Sequence, residues 1–444
     1  MRGLRSRDTS LQEMSLIKSN ALKLRLPVCV VETMKKERIR IFQKRNTCFI
    51  GIDMHKDTHC AVVIDCWMNK LGEVNFENRP SKFPAFVEDV RKICGTKEFV
   101  FGLEDTRGFG RNLAAYLVGR KFEVKHVNPA YTSAVRLANP IIYKDDSYDA
   151  YCVARVLRDM VDTLQDAKHE DIFWTIRQIV KRRDLIVKSN VMNKNQLHSQ
   201  LSYSYPSYRK FFALIDAKSA MCFWENYPSP EHVKATTPEK IYETIKPVHQ
   251  ALKIQRIHEI IAMIEKDGDT RKDYQPERDF IVRNIVKEIR HNKGLIAEID
   301  DELRKLLPLT GYKLQTMPGI DLATEAQLIS EIGDINRFPD SDNLARFMGL
   351  APVQFSSAGK GKDQRCRNGN RALNAIFHFL AIQMVAISPS GKPRHPIFRE
   401  YFEHKVKEGK NKPQALVCVA RRLVRIIYGM MKTKTEYRPF EKAQ

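Results

Sequence analysis

No stretch of this chain approaches the ~18 to 20 consecutive apolar residues that cross a bilayer, so a helical membrane protein is excluded. The apolar run Leu26 to Val31 is short and contains Pro27, and a secretory signal is not expected there. Cysteine is present without pattern: nine residues (Cys29, Cys48, Cys60, Cys66, Cys94, Cys152, Cys222, Cys366 and Cys418), an odd count with no CxxC pair. That spacing argues against a structural zinc site and a disulfide framework, and it fits a reducing cytoplasm. Acid is scarce relative to base, with 53 Asp and Glu against 75 Lys and Arg and a formal charge of +22. Such a surface repels itself unless a polyanion or bound anions balance it, which makes nucleic acid the first candidate partner. A merely basic soluble protein is the alternative.

At 444 residues the chain has room for two or three domains. Residues 1–45 are basic and weakly patterned. They read either as an arm on nucleic acid or as sequence upstream of a start at Met34. From 46 to 164 the pattern is α/β. Strands are expected at Cys48 to Asp53, Cys60 to Met68, Gly72 to Glu77, Glu98 to Glu104 and Phe122 to Val127, with a turn over Asn69 to Gly72. Helices are expected through Phe83, Phe86, Val87, Val90 and Ile93, over Asn112 to Gly119, and over Asp146 to Val161. Three meandering strands followed by alternating helices and strands make a mixed sheet of RNase H-like order.

Residues 165–308 read as helical. Aromatics between Tyr203 and Tyr227, interleaved with Lys194, Arg209, Lys210 and Lys218, suit either a small core or stacking on unpaired bases, and the core is favoured. Val282, Ile285, Ile289, Asn292, Ile296, Ile299, Leu303 and Leu306 alternate steps of three and four, an a/d seam that ends at Pro308. The seam predicts a coiled coil, between protomers or back onto an earlier helix. A plain buried helix is the alternative.

Acids stand where apolar elements stop or start: Asp53 and Glu104 end strands, and Asp146 and Asp149 open a helix on one face. If the first and fourth strands are neighbours, these four carboxylates converge. Like charges ~4 Å apart repel by about 4 kcal/mol per pair at an effective dielectric near 20, so such a cluster needs cations. Oxygen ligands of this kind suit Mg²⁺ or Mn²⁺, and two such ions stabilise the entering and leaving oxygens of a phosphoryl transfer. Taken singly, each acid is ordinary, and Asp146 alone would pass as an N-cap.

The remainder, 309–444, is expected to be mostly helical. Met317-Pro318-Gly319-Ile320 suggests a helix-hairpin-helix in which Gly319 frees backbone N–H groups for a phosphate. A simple helical corner is the alternative. A loop from Gly349 to Lys362 carries Ser356 and Ser357, and no neighbouring His or Asp offers a base. On this chemistry alone the serines suit phosphate contact better than catalysis. Lys144, Gly319, Lys360, Lys362, Arg365 and Arg367 are candidate nucleic-acid contacts.

Several segments in order carry a family resemblance: Gly51-Ile52-Asp53-Met54-His55-Lys56, Glu104, Lys144 to Ala150, Met317 to Ile320, Glu331 to Ile335 with Arg337-Phe338, Gly349 to Pro352, and Gly369-Asn370. Together they resemble the DEDD insertion-sequence transposases, also described as bridge recombinases. The resemblance implies a RuvC-like N-terminal domain whose Asp-Glu-Asp-Asp set is Asp53, Glu104, Asp146 and Asp149. It also implies a C-terminal serine, Ser357 by position, that links covalently to a DNA strand. A dimer or tetramer joined partly by a coiled coil, and a structured noncoding RNA that selects DNA, are further implications. This sequence departs from the family in its long extension, the extra Asp145, and Ala358 standing between Ser357 and Gly359. A RuvC-like Holliday-junction nuclease using metal-activated water is the competing enzyme. An RNA-binding protein with structural acids is the non-enzymatic alternative.

Overall fold

Strand β1 (Thr47–Met54) is apolar on both faces, with Cys48, Phe49, Ile50 and Ile52 all buried, and it takes the middle of a sheet. The computed structural model describes residues 44–104, 108–138, 145–167, 172–350 and 369–439, with the backbone of 353–357 and 360–364. It divides into two compact units, Met1–Glu170 and Asp171–Gln444.

In the first unit six strands lie in the order β3-β2-β1-β4-β5-β6. Here β2 is Thr58–Ile64, β3 Lys70–Glu77, β4 Glu98–Glu104, β5 Glu123–His126 and β6 Gln165–Asp166. β1, β4 and β5 run parallel, while β2, β3 and β6 pair antiparallel. The helices are α1 (Phe83–Cys94), α2 (Arg111–Gly119), α3 (Pro129–Ala138) and α4 (Asp146–Met160). The expected mixed sheet is present. The turn after β2 comes earlier than the sequence suggested: Asp65 Oδ1 accepts the Trp67 and Asn69 N–H groups at 2.8 and 2.9 Å, ending the strand at Ile64. α3 has a single buried residue, Thr132, and its weak apolar pattern kept it out of the sequence reading.

The second unit is mostly helical. Its longest members, α5 (Ile172–Ser204) and α10 (Gln275–Leu306), lie antiparallel. Ile176 and Val180 share a core with Leu303 and Leu307, while Leu197 and Leu201 share another with Val282, Ile285 and Ile289. The heptad seam of α10 therefore faces α5 of the same chain. Between them come α6 (Lys218–Asn226), α7 (Pro230–Lys234), α8 (Pro238–Ile245) and α9 (Ile254–Asp267). Tyr205, Tyr208, Phe211, Phe223, Trp224 and Tyr227 are buried beneath these helices, so the aromatic patch is a core.

The rest of this unit comprises α11 (Leu322–Ile332), α12 (Ser341–Phe347), α13 (Arg371–Val385), α14 (Pro396–Lys407) and α15 (Lys412–Thr433). Asp321, Asp340, Asn370 and Asn411 cap α11, α12, α13 and α15, each accepting an N–H three residues on. Ahead of the Met317 to Ile320 turn stand two 3₁₀ turns, Leu307–Thr310 and Leu314–Thr316, where a helix-hairpin-helix would have its first helix. Pro308 and the left-handed Gly311 break the chain there. The serine segment, expected as a loop, pairs as a hairpin of β7 (Val353–Ser357) and β8 (Lys360–Gln364), with Ser357 opposite Lys360. Among the described residues no helix is long and apolar enough to cross a membrane.

Candidate metal centre

Two acids are brought together by strand register alone. β1 and β4 are parallel neighbours, and Asp53 is the register partner of Glu104 at their C-terminal ends, the edge where sheets of this kind bind ligands. A third acid arrives through close helix–strand packing. A Cβ on Gly51 would lie 2.1 Å from Ala154 N and 2.2 Å from Ala150 O, so α4 rests directly on the β1 backbone. Five residues before Ala154, and next to Ala150, Asp149 is buried beside the strand ends.

The first turn of α4 is fixed from both sides. Asp145, the acid beyond the expected set, is its N-cap, and its Oδ1 accepts the Tyr148 N–H at 2.6 Å. Asp146 thus becomes the first helical residue rather than the cap. Across the sheet, Ser147 donates to Glu73 at 2.6 Å, and Lys70 donates to both Ser147 and Glu73. Those hydrogen bonds, Lys70 first, hold the Glu73 carboxyl down at about 2.

Two basic side chains that the sequence reading did not single out as site residues complete the cluster. His55 Nε2 lies 3.1 Å from Asp53 Oδ2 and 3.3 Å from Asp146 Oδ1. Arg136, on α3, donates to Asp149 Oδ1 at 2.9 Å and to both Glu104 oxygens at 3.3 Å. Burial first, then the fields of Asp149, Asp146 and Glu104, push Asp53 above the usual carboxylate range, with His55 opposing. Ligand atoms of Asp53, His55 and Asp146 all lie within 4.8 Å of one another. Carboxylate oxygens with one imidazole nitrogen, half open to solvent, fit a divalent ion.

The other candidates lie in the second unit or outside the described residues. Gly319 is exposed, with φ +89°, on the turn before α11. Ser357, Ser356, Lys360 and Lys362 lie on the paired hairpin strands, and their side chains fall outside the described set, as do Lys144, Arg365 and Arg367 altogether.

The segments flanking the hairpin converge at its foot. Glu331 accepts from Asn370 Nδ2 at 2.5 Å, and the Asn370 N–H donates to Phe347 O at 2.8 Å. Gly369, with φ +128°, lies so close to Gly349 that a Cβ would meet its nitrogen at 2.7 Å. Arg337 lies over the rings of Phe338 and Phe347 at 4.6 and 4.7 Å, and burial pulls its guanidinium down to about 10.

A family model described as transposase, the DEDD type of IS110, matches residues 50–206, and the model for the transposase IS116/IS110/IS902 family matches 311–401. The chain belongs to this transposase family. The first match spans the acidic cluster, and the second spans the turn at Gly319 and the serine hairpin. Among the relatives of this transposase, an insertion element IS116 protein of Streptomyces clavuligerus is 22% identical over 89% of this chain and 97% of its own length. A pilin gene-inverting protein of Moraxella bovis is 23% identical over 89% and 98%. The transposase for insertion sequence element IS1111A of Coxiella burnetii is 22% identical over 74% and 76%.

Proposed function

We propose that this chain moves an insertion sequence by cutting and rejoining DNA strands through metal-assisted phosphoryl transfer. The observation that carries the proposal is the meeting of Asp53, Glu104, Asp146 and Asp149 at one sheet edge, where two basic groups face four acids. Asp53 and Asp146, with Glu104 and Asp149 beside them, would hold Mg²⁺ or Mn²⁺. When bound, the ion supplies Lewis-acid polarisation of the scissile phosphate. The sheet order and the acids at the ends of its parallel strands support an RNase H-like, RuvC-like reading of this unit. The relative from Moraxella bovis, named for inverting a pilin gene, supports recombination rather than simple cleavage.

Ser357 is the proposed nucleophile, its hairpin anchored by the Glu331–Asn370 contact and the Gly349–Gly369 packing. Its hydroxyl loses a proton as it attacks phosphorus, and the departing DNA 3′ oxygen takes one up. The phosphoserine ester formed keeps the energy for rejoining. Lys360, Lys362, Arg365, Arg367, Lys144 and the Gly319 turn are the proposed phosphate contacts. A dimer or tetramer in which one protomer's serine serves another's acids, and a structured noncoding RNA that selects DNA, complete the proposal.

Wild type should form a protein–DNA adduct that survives denaturation, and Ser357→Ala should abolish it. Full strand transfer by Ser357→Ala would remove the serine from the mechanism. Hydrolysed junctions without an adduct would instead favour a nuclease using water.

A further inference from the structure

The four acids of the cluster are not equivalent. Glu104 and Asp149 share the Arg136 guanidinium, through Nη2 at 3.3 Å and Nη1 at 2.9 Å. The side chains of both acids are 11% exposed, and that of Arg136 is 27% exposed. The guanidinium is held on its other edge as well. Its Nη2 donates to Thr132 Oγ1 at 3.0 Å and its Nε to Thr132 O at 3.4 Å, and Thr132 is fully buried. Asp53 and Asp146 share a different base, His55 Nε2, at 3.1 and 3.3 Å, in the more open half of the site.

The two bases differ in what they allow. A guanidinium stays protonated at every accessible pH and has no lone pair to offer a metal. It therefore competes with a cation for Glu104 and Asp149 and repels any ion placed beside it. A neutral imidazole presents a ring-nitrogen lone pair as a metal ligand. One half of the cluster already contains its cation, and the other half is built to accept one.

We infer that Arg136 stands in for a second metal ion: the chain binds one divalent cation, at Asp53, His55 and Asp146, while the guanidinium neutralises Glu104 and Asp149. This inference rests on the reading of the acids as a metal centre. One ion and one guanidinium bring three positive charges to four carboxylates. The nitrogen ligand in the open half favours Mn²⁺ over Mg²⁺, which makes Mn²⁺ the probe of choice.

The test is a count. The purified full chain is titrated with Mn²⁺, and free Mn²⁺ is read by electron paramagnetic resonance. Wild type should show one site per chain, Asp53→Asn none, and Arg136→Ala two. If Arg136→Ala does not fold, Arg136→Gln, which keeps a donor for Thr132, should likewise gain the second site. Two sites in wild type would overturn the role of Arg136 and leave the metal centre standing. A count that stays at one when Arg136 is replaced would overturn it too. No site in wild type would remove the metal centre itself, and this inference with it.

Discussion

Asp279 and Asp149 are both nearly sealed from water, at 4% and 8% exposure, but their surroundings differ. Asp279, on α10 in the second unit, accepts from Gln275 Nε2 at 2.8 Å and from Ser229 Oγ at 3.1 Å, with His232 Nδ1 at 3.5 Å. No other carboxylate appears among those partners. Asp149, on α4 in the first unit, shares its guanidinium with Glu104 and lies in the field of Asp53. One buried acid is matched donor for donor and serves the fold. The other belongs to a group in which acids outnumber bases, the arrangement that awaits a cation. Burial alone does not separate structural from functional carboxylates; the balance of donors to acids does.

The comparison breaks most severely if α4 is lifted from β1. Gly51→Ala places a methyl group against Ala150 O and Ala154 N, two backbone atoms that cannot rotate away. A cost of about 3 kcal/mol, the upper end of overpacking, is expected in thermal unfolding. Because Asp146 rides on that helix, Mn²⁺ binding should fall as well. Unchanged stability together with unchanged Mn²⁺ binding would mean that the packing does not set the site.

A smaller effect sharpens the other side. Asp279→Ala strips the acceptor from the Gln275 amide and the Ser229 hydroxyl, leaving buried donors unmatched. The expected loss is about 1–3 kcal/mol of stability, with Mn²⁺ binding unaltered. If metal binding fell instead, the division between the two kinds of acid would collapse.

How legible each acid was follows from what holds it. Asp53 and Glu104 could be read because near-continuous apolar runs mark central strands, and an acid that closes such a run stands at a sheet edge. Asp146 and Asp149 could be read from helical spacing, although only the structure shows Asp145 taking the cap. The heptad steps of α10 predicted a partner helix but not that α5 would be that partner, because a seam specifies a face and not who covers it. Arg136 lies on a short helix with one buried residue, and its two acids come from elements distant in the chain. No periodicity records such a contact. The β7–β8 hairpin was missed because β8, Lys360–Gln364, carries no apolar residue to mark it as a strand.

The smallest effect concerns charge within the acid cluster. Asp53 titrates above the ordinary carboxylate range, so its ionised form is disfavoured in the folded state. A group with a raised folded pKa contributes nothing unfavourable while protonated in both states. It then lowers stability as pH rises through the folded value. Asp53→Asn removes that penalty. In chelator at pH 7–8 its melting temperature should exceed that of wild type. The gain should shrink to nothing as pH falls below the ordinary aspartate range. Added Mn²⁺ should reverse the order, because only the wild-type carboxylate gains from the ion. A variant that melts below wild type in chelator would show that His55 already compensates Asp53, and the excess of acid over base would lie with Glu104, Asp146 and Asp149 instead.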